Sequence, residues 1–549
     1  MRGFACFSIP YKVHFRRIHV AFILFIVWCI ISVVLYSVSR SSKSSPHFKK
    51  TLNVKFVQRV GNYSSACRLP SLDPFHPSIQ QFIKDLGKLQ CTGERFSTFI
   101  NNVLEVKGDG IASVQYRTIE RPSGDDFKVV LSDPRSLSNT AKRTDENADT
   151  GLFGRFWKAV FGPVKTPFLG KATVKADFIR VDAITSYGWT KSDVHMQVSP
   201  KQEVLARPQK PVGIPLDVAL IMYDSTSAAN FRRKMPNTLE YLTKNLNSVF
   251  LQGETIVGDG TTAQLCAMLT GIAEKKQPEA RRSENVSDSV DKWRWIFKNF
   301  KEKGYATLFS EDSTTYATFN YRLHGFKEPP TDHYARPFWL EAEEIINRYC
   351  IGGRASHNVS LEYLLSFFRA YKDKPKFSLI THDIPHNNLN TIGYVDDDLK
   401  RTLQTLEKES FMKNTMLIIF GDHGIRYSGV RKTIQGKLEE RLPFMSISLP
   451  NWFTEKYPGL YSNLVQNSKV LTTPFDVYVT LRHILSYPSH PSEITTGQSL
   501  FKRIDSDSRT CTNAGVEEHW CPCLNLEEVS TDEPLIRESA EFVVKFMTI

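Results

Sequence analysis

Leu216 to Asp224 reads L-D-V-A-L-I-M-Y-D, an unbroken apolar run of strand length that closes on a carboxylate. A run without polar alternation marks a strand buried on both faces, as in a parallel sheet covered by helices. Downstream the pattern recurs, with helical segments between the runs. After the helix-like N-T-L-E-Y-L-T-K-N-L behind Pro236 come the strands Y-A-T-L-F-S-E-D, K-F-S-L-I-T-H-D, T-M-L-I-I-F-G-D-H-G and L-P-F-M-S-I-S-L-P. Helical stretches stand among them: K-W-R-W-I-F-K-N-F-K-E-K-G, L-E-Y-L-L-S-F-F-R-A-Y-K-D, D-D-D-L-K-R-T-L-Q-T-L-E-K-E and P-F-D-V-Y-V-T-L-R-H-I-L. This alternation predicts an α/β fold, a mostly parallel sheet with helices on both faces.

Outward from that core the character changes. Between Cys67 and about Lys210 the apolar runs are short and β-like (F-K-V-V-L-S, A-T-V-K-A-D-F-I-R-V-D-A, D-V-H-M-Q-V), which predicts an N-terminal β-rich subdomain. Ser136 to Thr150 is polar enough to be a loop. Val20 to Tyr36, V-A-F-I-L-F-I-V-W-C-I-I-S-V-V-L-Y, is an uncharged run of the length a bilayer demands, about 17–25 residues. Lys12, Arg16 and Arg17 precede it, and Arg40, Lys43, Lys49 and Lys50 follow. No A-x-A-like cleavage site stands after it, so an uncleaved anchor is expected. The layout read from the sequence is a cytoplasmic tail (1–19), a transmembrane signal anchor (20–36), a stalk (37–60), the β-rich subdomain (61–210), the α/β core (211–500) and a cysteine-containing C-terminal segment (501–549).

Cysteines and sequons indicate the compartment. Beyond the anchor lie Cys67, Cys91, Cys266, Cys350, Cys511, Cys521 and Cys523, with N-x-S/T acceptors at Asn62, Asn285 and Asn358. Together they point to an oxidising lumen or exterior, hence a type II protein of the secretory pathway or cell surface, or one shed outside the cell. Seven is odd, and Cys266, in the apolar stretch Q-L-C-A-M-L, is the expected free thiol. In H-W-C-P-C the C-x-C pair lacks further ligands at zinc-finger distances, so disulfides rather than zinc are expected there. The net charge of +12 is scattered along the chain, which argues against a nucleic-acid partner and suits an anionic substrate.

Three predicted strands end in metal-ligand side chains: Asp224, His382 and the pair Asp422–His423. Ligands of open parallel sheets bind beyond the carboxyl ends of strands, and carboxylate with imidazole suits a divalent cation. Val257 to Gly271, V-G-D-G-T-T-A-Q-L-C-A-M-L-T-G, puts Thr261 at the start of a helix, where free N–H groups and the positive dipole end favour an anion. A threonine there also serves as a cap.

An aspartate closing the first core strand, a threonine ahead of a helix ending in L-T-G, and the strand end G-D-H-G together resemble the alkaline phosphatase superfamily. More specifically, C-R-L-P-S-L-D-P-F-H-P-S-I, Y-D-S-T-S-A-A-N-F-R-R-K-M-P-N-T, H-D-x-P followed by D-D-D-L, G-D-H-G-I-R-Y-S-G-V-R-K-T-I-Q-G-K-L-E-E-R-L-P and H-W-C-P-C resemble one uncharacterised, sulfatase-like domain family of membrane-anchored or secreted animal proteins. That resemblance spans roughly residues 60–525 and implies an alkaline phosphatase-like core. It makes Asp224, Asp422, His423 and the Thr261 oxygen ligands of one metal, with Thr261 as nucleophile and His382 helping to hold a second. One or two divalent ions are implied, zinc first, with manganese or calcium as alternatives. Arg426 would bind the transferred group; Arg431 is read as a surface ion-pair partner.

Two departures stand out. Ser378 occupies the position of an aspartate four residues before the histidine matched to His382, and after His423 only His483, His490 and His519 remain, none in the family's context. His386 is a substitute imidazole, although Pro385 breaks helical spacing between it and His382. Thr261 is followed by Thr-Ala-Gln, which resembles the Thr-x-Pro-Asn of phosphodiesterase members rather than the nucleophile motif of sulfatases. The expected activity is a metal-dependent hydrolase or transferase of phosphate esters, ahead of sulfate esters. The alternative is a catalytically inactive, sulfatase-like extracellular binding module.

Overall fold

The computed structural model describes residues 67–140, 168–491, 496–523 and 530–547, together with the two short strands Phe56–Val57 and Glu527–Glu528. Seven strands build the central sheet: β1 (Asp217–Tyr223), β2 (Val249–Phe250), β3 (Ala306–Glu311), β4 (His333–Tyr334), β5 (Lys376–His382), β6 (Thr415–Phe420) and β7 (Met445–Ser448). Their spatial order is β2-β7-β6-β1-β5-β3-β4. The pairs β6–β1, β1–β5, β5–β3 and β3–β4 are parallel, and β7 turns antiparallel to β6 and β2. The α/β class and mostly parallel sheet expected from the sequence are what the chain forms.

All seven residues of β1 are buried, because both faces of the sheet are covered. Val218, Leu220 and Met222 face one apolar cluster, packed with Leu265 and Leu269 of α1 (Gly260–Thr270) and with Val477 and Leu481 of α4 (Pro474–Ser486). Ala219, Ile221 and Tyr223 face the other, with Leu364 and Phe368 of α2 (Ser356–Ala370) and Leu399 and Leu403 of α3 (Asp396–Lys408). Each buried aliphatic side chain of this kind is worth about 1.5–3 kcal/mol. The strand therefore gains on both faces at once, and an unalternating sequence is the one it needs.

The N-terminal β-rich region is present and antiparallel. Ser97–Ile100, Val103–Gly108 and Phe168–Thr173 form one sheet; Ile111–Glu120, Phe178–Thr185 and Thr190–Met196 carry the larger one. Leu104, Val106, Val114, Ile179, Val181 and Ala183 fill the space between them. The stretch 141–150, within the expected polar loop, lies outside the described residues.

Among the described residues three disulfides close the fold, Cys67–Cys523, Cys91–Cys350 and Cys511–Cys521, and Cys266 is free and buried in α1. The C-x-C pair is therefore disulfide-bonded, as expected, with its two sulfurs committed to different partners.

Residues 63–524 form one compact unit; residues 1–62 and 525–549 form another. In the latter, Phe56–Val57 pairs antiparallel with Glu527–Glu528, and Pro534–Met547 is a helix. The expected type II anchor, and the membrane as a partner, are corrected here. Among the described residues no helix is long and apolar enough to cross a membrane, and Val20 to Tyr36 lies outside them.

Candidate active site

Register brings the functional strand ends together. Tyr223 pairs with His382 across β1–β5, and Met222 with Phe420 across β1–β6, so three strands stop at one edge. One further ladder bond, Asp224 N–H to the His382 carbonyl at 2.9 Å, carries Asp224 past the sheet. Gly421 lets the turn after β6 close, since a Cβ there would meet the Thr226 carbonyl oxygen at 2.1 Å.

Two groups of ligand-type side chains share Asp224: Asp224 with Asp422 and His423, and Asp224 with Asp383 and His386. In the first, Asp422 Oδ1 accepts from the N–H groups of Ser225 at 3.0 Å and His423 at 2.8 Å. Ser225 reaches this position with φ +56°, a strained value for a residue with a side chain. Its hydroxyl donates to Asp224 Oδ1 at 2.8 Å. His423 Nδ1 bonds the Gly424 carbonyl at 2.8 Å, which directs the Nε2 lone pair inward. Nε2 lies 3.3 Å from Asp422 Oδ2 and 3.9 Å from Asp224 Oδ1.

The second group is built by a turn. His386 N–H donates to the Asp383 carbonyl at 2.9 Å, which keeps the ligand atoms of the two residues within 4.8 Å of one another, and His386 Nδ1 lies 3.1 Å from Asn387 Oδ1. Helical spacing between His382 and His386 is thus irrelevant: the useful pair is Asp383 and His386.

His382 does not join either group. It shares a sheet face with its register partner Tyr223, and the rings stack at 4.9 Å. Its Nδ1 lies 3.5 Å from Asp312 Oδ2, and neither ring nitrogen has a hydrogen-bond partner among the described residues. Ser378 sits buried inside β5 with its hydroxyl towards the Val218 carbonyl at 3.4 Å, away from the strand ends. His483 is buried in α4, bonded to Ser499 at 2.7 Å. Sequence reasoning missed Asp383, although its place directly after a β-strand was the available signal.

Do these residues fit a metal? Asp422 Oδ2, His423 Nε2 and Asp383 Oδ1 are buried and have no hydrogen-bond partner among the described residues. Such orphaned acceptors are costly unless something positive meets them. Burial drives the Asp224 carboxyl well above its ordinary range, with Asp422 pushing the same way. Asp383 is raised by burial and then by Asp224, Asp312 and Glu311. Carboxylate oxygens with imidazole nitrogens suit zinc or manganese. The donor set fits a divalent cation.

Thr261 stands in the first turn of α1, its hydroxyl 3.5 Å from Asp224 Oδ2, at the long end of hydrogen-bond range. Arg426 lies over the preceding residue: a Cβ on Gly260 would be 3.0 Å from its Nη2. The guanidinium pairs with Asp259, the helix cap, and sits 5.1 Å from the Tyr427 ring. Arg431 instead forms an ion pair with Glu440 at 2.8 Å, as expected, but the carboxylate it meets is buried rather than on the surface. Of the sequons, Asn285 is exposed, Asn358 is half-buried with Nδ2 donating to Asp398 at 3.0 Å, and Asn62 lies outside the described residues.

A family profile described as "Protein of unknown function (DUF229)" matches residues 162–548. No curated protein matches the chain. Among solved structures, the chain is similar to a protein in the alkaline phosphatase superfamily from Vibrio parahaemolyticus, at 18% identity over 55% of this chain and 74% of that one, TM-score 0.41. It is also similar to the C-terminal periplasmic domain of EcEptC from Escherichia coli (14% identity, 54% and 92% covered, TM-score 0.36). A third is the soluble domain of lipooligosaccharide phosphoethanolamine transferase A from Neisseria meningitidis (12%, 51% and 90%, TM-score 0.35).

Proposed function

The chain belongs to this family of unknown function, DUF229, and from the site it carries we propose a metal-dependent hydrolase or transferase of phosphate esters, with sulfate esters second. The observation that carries the reading is the position of the Thr261 hydroxyl beside Asp224, the one carboxylate common to both ligand groups.

Asp224, Asp422, His423 and the Thr261 oxygen would hold one cation; Asp224, Asp383 and His386 offer a place for a second. Zinc suits both donor sets, and manganese is the next fit. A divalent cation there supplies charge neutralisation and lowers the pKa of a bound hydroxyl. Thr261 Oγ1 attacks the phosphorus, the P–O bond to the leaving alcohol breaks, and the phosphoryl group rests on the threonine. Water or a second alcohol then takes it, which decides between hydrolysis and transfer. Arg426 is held at the helix start by Asp259 and offers charge to the equatorial oxygens of the transferred group. The N-terminal end of α1 adds its dipole.

The test is metal analysis of the purified protein paired with turnover of p-nitrophenyl phosphate, a phosphodiester and a sulfate ester. Bound metal with turnover that Thr261→Ala abolishes supports the reading. Absence of metal under metal-replete conditions removes it.

A further inference from the structure

The chain leaving β3 runs past the second ligand group, and it is tied down at both ends. Glu311, the last residue of the strand, takes the Thr318 N–H at 2.8 Å and the Thr318 hydroxyl at 2.6 Å on one oxygen. The Thr318 carbonyl accepts in turn from the Thr262 hydroxyl at 3.0 Å, one residue after Thr261 on α1. Residues 312–317 are thereby held as an arm between the sheet and the helix that carries Thr261.

Two side chains of this arm touch the β5 end and its turn. Asp312 Oδ1 accepts the Asp383 N–H at 2.7 Å, which fixes the peptide plane from which the Asp383 side chain departs. Asp312 Oδ2 lies 3.5 Å from His382 Nδ1, so one carboxylate meets both neighbouring residues. Tyr316 stacks on the His386 ring, with 5.3 Å between centroids and 20° between planes. Tyr321 braces Tyr316 edge-on at 5.5 Å, and Tyr427 meets the imidazole at 5.8 Å and 50°. The imidazole has use for such support. Its Nδ1 bonds the oxygen of Asn387, an exposed side chain. An amide oxygen only accepts, so the proton sits on Nδ1 and Nε2 is left for a cation.

Ordinary folding reasons explain neither residue. Tyr316 and Tyr321 are 49% and 52% exposed, so their rings add little to the core. Adjacent exposed rings mark a working surface sooner than a stabilising one. Asp312 adds a carboxylate that repels Asp383, and stability alone favours an uncharged acceptor there. A cation held by Asp383 reverses that sign. We infer that Asp312 and Tyr316 are positioning residues of the second ligand group: Asp312 aims Asp383 by holding its N–H, and Tyr316 sets the plane of the His386 ring. This rests on the metal centre proposed above and not on the ester chemistry.

Titration of the full chain with cobalt(II), read by bound metal and by visible absorption, tests it. Wild type should take two equivalents. Tyr316→Ala should weaken the second by about tenfold or more and alter its absorption, leaving the first as it was. Tyr316→Phe keeps the ring and should bind as wild type does. Asp312→Ala should weaken the second equivalent likewise, and Asp312→Asn, whose amide oxygen still accepts, should bind more tightly than Asp312→Ala. Calorimetric Tm identifies any variant that folds poorly, and Tyr316, being exposed, supplies one that should fold. A second equivalent unchanged in folded Tyr316→Ala and Asp312→Ala overturns the inference. So does a loss in Tyr316→Phe equal to that in Tyr316→Ala, or a wild type that takes one equivalent only. Esters turned over by a protein whose cobalt binding ignores these substitutions remove the positioning roles and leave the ester reading. The expected cobalt losses with no ester turned over do the reverse, and a wild type that binds no cobalt removes both.

Discussion

The Asp224 N–H donates to the His382 carbonyl at 2.9 Å, and this bond determines which residue of the β5 end can reach the site. Because it extends the ladder past Tyr223, His382 is still a strand residue with its ring on the sheet face, and Asp383 is the first residue beyond it. The expected outcome is a split in metal binding. His386→Ala and Asp383→Asn should lose about one equivalent of bound zinc, or weaken it by at least 10–100-fold, as even losing a supporting residue does. His382→Phe, which keeps a ring against Tyr223, should retain full stoichiometry. Plasma emission spectrometry on dialysed protein reads this directly. An equal loss in His382→Phe would place that imidazole among the ligands after all.

Thr261→Ala is expected to cut ester turnover by on the order of 10^3-fold or more, as removal of a covalent nucleophile does. It should leave most of the metal in place, since Asp224, Asp422 and His423 remain. Thr261→Ser restores a hydroxyl at the same position and should recover part of the rate. Loss of rate in Thr261→Ala without recovery in the serine variant would mean that the methyl group, not the oxygen, mattered.

Stability of the metal-free protein should fall as pH rises from about 6.5 to about 8, above the range in which His357 and His483, pushed down by burial to about 3 and about 4, act with the opposite sign. Unfolded carboxyls release their protons near pH 4. In the folded chain burial holds Glu311 up to about 7 and Glu254 up to about 8, and raises Asp224 and Asp383 as well. Across that window the native state binds protons that the unfolded state has released, so the native state loses ground with rising pH. Added zinc or manganese takes the protons' place at Asp224 and Asp383, and its stabilising effect should therefore grow with pH. Glu254→Gln should flatten the slope equally with and without metal, because Glu254 belongs to neither ligand group. Calorimetric Tm values at several pH values, with and without cation, check both signs.

The core was legible in the sequence because its strands are buried twice over. L-D-V-A-L-I-M-Y and T-M-L-I-I-F carry no alternation, and only a sheet covered on both faces tolerates that. Thr261, Asp422 and His423 were legible because each stands at a helix start or strand end in a recognisable run. Asp383 was not, since sequence alone gives no register, and one residue of slip along β5 exchanges a face-pointing side chain for one beyond the sheet. His386 was discounted on helical spacing, whereas the segment is a turn.

Asn285 and Asn358 carry the same tripeptide signal but sit in opposite settings, which makes glycan occupancy a sharp check on the fold. Glycan transfer needs the amide nitrogen of the acceptor free. The Asn358 nitrogen is given to Asp398 at 3.0 Å, on a helix that packs into the core, while His357 bonds the same carboxylate at 2.7 Å. Asn285 is exposed beside Val286, itself 89% exposed. When the chain is expressed through a glycosylating secretory pathway, Asn285→Gln should remove a mobility shift sensitive to glycosidase. Asn358→Gln should leave the shift unchanged and lower the Tm through loss of the Asp398 bond, on the order of 1.5–3 kcal/mol for a hydrogen bond to a charged group. A glycan mapped to Asn358 by mass spectrometry would mean that this helix is modified before it docks, and that the Asp398 contact is absent from the mature protein.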